Sequence, residues 1–449
     1  MTFKNVLIAA AVPLFLAGCG GAAAGGNEEL SWRWMLEGEP GSGGDSVWVG
    51  KHVLYPSDGN GGIAYVSGTG EDACKEFRYS FDGRRPAAAP LSEGDCLMFS
   101  VPAGDMGKGT FIGFDATLGG DADSPGRYRI EYLDRTGWKN TGITYAGSGD
   151  ISTGPGDKDT YQYATVLSTF RLDAPPVDGR LKIRCVAEGG SACDGTAMKE
   201  GGTVVFPDFG FVAAEIKSLG TREPADTLRV LMLGNSFTYF YGSPFMLKEI
   251  AWREGLALDI RANLKGGQTF GDHLSLSLSE AAVKEGGYDF AIIQDQSQNP
   301  ARYSSNPEKY GSVLENFNAL VSEIRKYSPE CQIILDRTWA YPGGNSGGFG
   351  DYEVFDSLLA DGAEKMAMSG EGTLIAPVGE AFTECRERFP EIELYCDDRK
   401  HPSEAGAYLK ACVEYSVLAG KRFGRYPDDC RLPAEIAARL RSIAEDVTE

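Results

Sequence analysis

A doubly wound, parallel α/β sheet, laid out as a flavodoxin-like three-layer sandwich and preceded by an all-β sandwich or jelly roll, is the architecture this sequence predicts. Three observations predict it. The 449 residues are too many for one ordinary hydrophobic core and suit two. From about Leu30 to Gly220, short runs of β-branched and aromatic residues are separated by Gly, Asp, Ser and Pro, with no long helical period. From Leu228 onward, continuous apolar runs alternate with amphipathic stretches, as strand and helix do in a parallel sheet covered on both faces. Hydrophobic residues at 42% and aromatics at 11% are enough to fill both cores and exclude a wholly disordered chain.

In chain order, the first feature is Lys4 followed by an apolar run from Val6 to Leu16, interrupted by Pro13. The run is shorter than the roughly 20 helical residues that cross a bilayer and reads as a signal peptide over residues 1–18. Its end, Leu16-Ala17-Gly18-Cys19, resembles the lipobox of bacterial lipoproteins. That resemblance implies lipidation of Cys19, with residues 19–29, rich in Gly and Ala, as a flexible tether. An exported protein anchored through its lipid to the membrane of the cell envelope is the expectation. Gly20, in place of the Asp that signals inner-membrane retention, points to the outer membrane. The net charge of -21 excludes nucleic acid as a partner, since binding it requires clustered Lys and Arg.

The β region expected over residues 30–220 contains Asp45–Gly50, Gly109–Phe114, Tyr128–Tyr132 and Leu181–Cys185 as strand-like runs. Trp32, Trp34 and Trp48 suit a sandwich core better than a carbohydrate platform. Cys185 and Cys193 bracket a Gly-rich loop of a size that a disulfide closes in an exported protein. There is no Cys-x-x-Cys pair and only three histidines, His52, His273 and His401, so no metal site is expected. Ser218–Thr227, with Gly220 and Pro224, reads as a linker to a second domain over residues 227–449.

There the expected strands are Leu228–Leu233, Leu258–Asn263, Tyr288–Gln294, Cys331–Leu335 and Thr373–Pro377. The expected helices run from Ser243-Pro244 to Gly255, from Pro307 to Tyr327 and from Ser403 to Leu418. Ligand sites in such sheets lie at the carboxyl ends of the strands. At the first of these ends, Gly234-Asn235-Ser236 puts a serine on a tight strand-to-helix turn with its hydroxyl exposed, as a nucleophile requires. Before the last helix, Asp398 stands three residues ahead of His401, a carboxylate placed to fix the tautomer of an imidazole base.

With these blocks the stretch from about Leu228 to Phe423 resembles the SGNH (GDSL-type) hydrolase family. The resemblance implies a serine esterase with Ser236 as nucleophile, His401 as base and Asp398 as its partner, working without a cofactor. The first block departs from the family in carrying Asn235 where Asp is usual. Gly266-Gly267-Gln268-Thr269 matches the second block, with Gly267 as a backbone donor to the oxyanion beside the N–H of Ser236. The third block, normally Gly-x-Asn-Asp, is replaced by Gln294-Asp295-Gln296-Ser297-Gln298-Asn299. Gln298 takes the place of the family's Asn on an ungapped alignment, and Gln294 is its rival. The implied substrate is an ester, best an O-acetylated carbohydrate; lipid or small esters are the rival within enzymes, and a glycan-binding relic of the hydrolase is the rival outside them. Among the remaining features, His273 reads as a surface residue rather than a lining of the pocket. Phe237, Tyr239, Phe240 and Tyr241 read as helix packing or a sugar cup, and Gly343–Gly350 as a mobile loop or a rim of the site.

Overall fold

The computed structural model describes residues 31–35, 47–51, 63–67, 76–80, 88–90, 92–120, 125–148, 164–190, 192, 203–205, 212–221, 226–264, 266–343, 348–420, 422–424, 430 and 432–449. Cys19, with the signal segment and tether, Cys193, and the side chains of Trp32, Trp34 and Trp48 lie outside the described residues.

Two antiparallel sheets build the first region. By neighbours, one runs Ser31–Met35, Val212–Gly220, Phe111–Gly120 and Ala164–Arg171. The other runs Ile63–Ser67, Cys96–Pro102, Arg180–Ala187, Arg127–Asp134 and Gly137–Ser148. Their inner faces meet where Phe99 lies 5.6 Å from Phe114 and Tyr132 stacks on Phe170 at 4.8 Å. Strand alternation decides which side chains are inside: Leu181, Ile183 and Cys185 are buried, while Arg180, Lys182 and Arg184 between them are half-buried. The same alternation corrects the expected disulfide. Cys185 points into the core as a buried free thiol, which burial holds well above the usual thiol pKa, and it is not bridged to Cys193.

The second region is an all-parallel sheet of Asp226–Gly234 (β1), Leu256–Leu264 (β2), Phe290–Ile293 (β3), Gln332–Asp336 (β4) and Leu374–Ala376 (β5), in the spatial order β2-β1-β3-β4-β5. The first helices after β1 are Ser236–Tyr239 (α1) and Ser243–Arg253 (α2). Between β2 and β3 come Phe270–His273 (α3) and Ser277–Glu285 (α4), and between β3 and β4 come Asn299–Ser305 (α5), Pro307–Tyr310 (α6) and Ser312–Tyr327 (α7). Tyr352–Ser369 (α8), Val378–Arg388 (α9), Glu404–Ala419 (α10) and Ala434–Thr448 (α11) complete the chain. Val230 and Met232 pack on one face with α2, α9, α10 and α11; Leu231 and Leu233 pack on the other with α4, α7 and α8. Burial on both faces is why β1 reads as a continuous apolar run. The doubly wound three-layer class is therefore present, with the order reversing between β1 and β3.

Two local expectations are corrected. The helix expected over Pro307–Tyr327 is two segments that meet at Gly311. The cap expected at Ser243 is Gly242, left-handed at φ 68°, and the Ser243 hydroxyl donates instead to the Ala407 carbonyl at 3.1 Å.

The two regions share backbone. Ala164–Arg171 pairs antiparallel with β2, Ala164 opposite Asn263 through Leu167 opposite Ile260, so the sandwich sheet runs on into the parallel one. The expected linker is correspondingly short, since one strand ends at Gly220 and β1 starts at Asp226. Trp252 of α2 donates its indole N–H to the Leu219 carbonyl at 3.2 Å and packs on Phe111, and Lys217 pairs with Glu249 at 3.1 Å.

Beneath the sheet, Lys410 of α10 is fully buried between the carboxylates of Asp336 and Glu414. Two acids share one ammonium, and burial pushes Glu414 up to about 7. In an unfolded chain this acid ionises near pH ~4.3, so between about pH 5 and 7 the native state holds more protons, and the group's contribution to stability falls as pH rises. Glu414→Gln keeps the hydrogen bond without the charge. Its stability relative to wild type, from urea midpoints, is expected to increase steadily from about pH 5 to about pH 8; a constant difference would show that Glu414 does not titrate there.

Candidate active site

The carboxyl ends of β1, β2 and β3 meet at a buried bracket centred on Asn235. Its amide nitrogen donates to the carbonyls of Gln268 (2.9 Å) and Asp295 (3.2 Å), and its side-chain oxygen accepts the N–H of Phe237 at 3.1 Å, capping α1. Its backbone N–H donates to the side-chain oxygen of Gln294 at 3.0 Å, which also accepts from the Thr238 hydroxyl. The turn is tight enough to need Gly234: a methyl there would sit 2.6 Å from Thr238 Oγ1. Asp295 adds a second tie, one carboxylate oxygen accepting the N–H groups of Phe270 (2.9 Å) and Gln296 (2.8 Å). Burial raises its pKa to about 6, against the pull of those two N–H groups.

On the α1 turn, Ser236 Oγ lies 2.8 Å from His401 Nε2, and His401 Nδ1 lies 2.5 Å from Asp398 Oδ2. The other Asp398 oxygen accepts the N–H groups of Lys400 and His401 at 2.9 and 3.0 Å. Burial pulls the Asp398 pKa upward, but His401 and these N–H groups outweigh it and hold the carboxyl below its ordinary value. A proton on Nδ1 facing a carboxylate leaves Nε2 as the acceptor for the serine hydroxyl. The Cys396–His401 loop is closed by the N–H of Cys396 to the His401 carbonyl at 2.9 Å and by Arg399 at φ 58°. Trp339, fully buried, donates its indole N–H to the Lys400 carbonyl at 2.9 Å. Ser403 caps α10 immediately behind.

Sequence reasoning singled out Ser236, Asp398 and His401, and the fold brings all three into one hydrogen-bonded chain. Gly267, at φ 74° and exposed, ends the second loop; neither its N–H nor that of Ser236 has an acceptor among the described residues. The two glutamines expected as amide donors are otherwise engaged. Gln294 is buried with its oxygen on the Asn235 turn and its nitrogen on the Asp295 carbonyl. Gln298 accepts from Arg302 at 2.8 Å and hydrogen-bonds to Tyr341. The half-buried Gln296, which sequence reasoning passed over, accepts the Gln298 N–H through its side-chain oxygen at 3.0 Å, while its amide nitrogen makes a 3.4 Å contact to Ser297. His273 is not a surface residue: it is 1% exposed, bonded to Ser279 at 2.8 Å, and burial lowers its pKa to about 4. Gly343, Gly348 and Gly350 all have positive φ, and residues 344–347 between them lie outside the described residues. No cluster of three or more His, Cys, Asp or Glu among the described residues is arranged to hold a metal.

No protein-family model matches the chain, and no curated protein matches it. Several solved structures resemble it. A DUF4886 family protein from Bacteroides uniformis is 20% identical over 49% of this chain and 95% of its own, with a TM-score of 0.41. A catalytic mutant of an acetylxylan esterase from Geobacillus stearothermophilus is 16% identical over 46% of this chain and 99% of its own, with a TM-score of 0.36. The Bacillus subtilis protein YxiM is 16% identical over 88% of this chain and 99% of its own, also at 0.36.

Asn235→Asp tests the bracket. A carboxylate has no hydrogen to give the Gln268 and Asp295 carbonyls, so two buried bonds are replaced by repulsion. A loss of about 2–4 kcal/mol in urea unfolding is expected; stability equal to wild type would show that the amide does not hold these loops.

Proposed function

We propose that this chain is a serine esterase that hydrolyses O-acyl esters through an acyl-Ser236 intermediate. The continuous hydrogen-bond chain from Ser236 through His401 to Asp398 carries the reading. As Ser236 Oγ attacks the ester carbonyl carbon, His401 Nε2 takes the hydroxyl proton, and Asp398 stabilises the imidazolium. The carbonyl oxygen becomes an oxyanion. The open N–H groups of Ser236 and Gly267 supply two donors to it, and the amide of Gln296 supplies the third. His401 then gives its proton to the leaving alcohol oxygen as the C–O bond breaks. Water, deprotonated by the same nitrogen, attacks the acyl-serine; the carboxylic acid leaves and the hydroxyl is restored.

The substrate we assign is an O-acetylated carbohydrate. A lipid-anchored envelope protein, held through Cys19 and carrying an accessory β domain, suits a glycan partner better than a soluble metabolite. The acetyl group is the choice the family resemblance favours, and the reaction needs no metal or organic cofactor.

The test is acetate release from p-nitrophenyl acetate and a panel of acetylated glycans by protein lacking residues 1–26. Ser236→Ala and His401→Ala are each expected to lower kcat by a factor of about 10⁴ or more with folding intact. Turnover of the small ester without release from any glycan would remove the carbohydrate assignment, and full activity in Ser236→Ala would remove the mechanism.

A further inference from the structure

The His401 ring is held at two atoms, Nδ1 by Asp398 and Nε2 by Ser236. The χ2 torsion of a histidine is broad, and a tilt about it misaligns both bonds, so what packs on the ring face helps set its plane. About a quarter of the side chain is exposed, at 25%, so solvent alone does not hold it. Phe240 lies flat on this ring, with centroids 4.1 Å apart and planes 9° apart. Phe237 contacts it at 5.3 Å and 55°, and itself stacks on Trp339. The backbone goes out of its way to put Phe240 there. Tyr241 takes φ 51°, a left-handed conformation that a bulky residue rarely adopts, and Gly242 follows at φ 68°. The Tyr241 side chain is hydrogen-bonded to Cys396, which ties this turn to the loop that carries Asp398 and His401. Tyr239 packs against Phe240 at 5.6 Å and 28°, so with His401 on it too the ring is engaged by two neighbours and is poorly placed to cup a sugar.

We infer that Phe240 is a positioning residue that holds the His401 imidazole in the plane needed for proton transfer with Ser236. The inference rests on the esterase reading above. Because the stack acts on the base and not on the ester, removing it lowers kcat and leaves KM alone.

Phe240→Leu and Phe240→Tyr are to be compared with wild type by three readouts: kcat and KM on p-nitrophenyl acetate, the rate of Ser236 labelling by a fluorophosphonate, and the NMR signals of the His401 ring protons. With three histidines in the chain, His401→Ala assigns those signals. Phe240→Leu is expected to lower kcat and the labelling rate by roughly 10- to 100-fold with KM within about 2-fold. Phe240→Tyr, which keeps the ring face, is expected to stay within about 3-fold of wild type. The His401 ring protons should move downfield in the Leu variant alone, as the shielding ring is lost. A folded Leu variant with unchanged kcat, or with a raised KM only, overturns the inference. If wild type itself neither turns over the ester nor reacts with the fluorophosphonate, the esterase reading falls. The NMR comparison still decides the stack: displaced His401 signals sustain it and unmoved signals overturn it.

Discussion

Three loops at the carboxyl ends of β1, β2 and β3 have to be held in register, and the side chain of one residue, Asn235, touches all three. Parallel strands end with their loops pointing into a crevice, where backbone groups have lost their sheet partners and must find others. Asn235 answers with two donated hydrogens and one accepting oxygen: the second loop through Gln268, the third through Asp295, and its own helix through Phe237. A carboxylate has the acceptor but not the donors. The Asn at this position is thus matched to two carbonyls aimed at it, and its bonds leave the Ser236 hydroxyl to His401. Gln294 and Asp295 follow from the same need. They are buried amide and carboxylate groups spent on tying turns together, which is why neither is positioned as a free group in the crevice.

The loop bearing Asp398 and His401 is secured by a different force. Its anchors are aromatic: Trp339 stacks on Phe382 at 4.2 Å and on Phe237 at 4.7 Å, and bonds the Lys400 carbonyl. This column is continuous with the core formed by α9 and α10, so the histidine's orientation is built into the packing of the domain. The two halves of the site are therefore held by unlike means, hydrogen bonds on the serine side and stacked rings on the histidine side, and they meet at the 2.8 Å contact between Ser236 and His401.

What was legible in the sequence follows the same division. The strands β1, β3 and β4 announce themselves because burial on both faces makes them largely apolar, β2 more weakly because Asp259, Arg261 and Asn263 interrupt it, and Ser236, Asp398 and His401 because they sit in short local patterns. Helices α1, α3, α4, α5, α8, α9 and α11 did not stand out: α1, α3 and α5 are short, and α4, α8, α9 and α11 carry charge along their exposed faces. Gln296 was not legible in these terms, because it stands in a run of polar residues that all read alike, and Phe240 was not, because what singles it out is His401, far away in the chain. The same holds for His273, whose polar character suggested the surface until Ser279 and the Gly234 end of β1 enclosed it. The pairing of Ala164–Arg171 with β2 was likewise invisible, since no local pattern in either strand names its partner across nearly a hundred residues.

That pairing gives the β region a place in building the crevice. In the parallel sheet alone β2 is an edge strand, and edges are where pairing is incomplete and opening is easiest. The sandwich strand covers the last half of β2, from Ile260 to Asn263, and the second loop with Gly267 begins immediately beyond. The partner strand therefore stabilises the stem from which that backbone N–H projects. Trp252, Leu219 and Phe111, packed in one small apolar cluster beside Ala257 at the other end of β2, fix the same strand from below. A region joined to the parallel sheet by strand pairing and a packed cluster cannot swing as a tethered module would. Whatever the sandwich itself binds, its strand is part of the scaffold that sets the second loop against the serine turn.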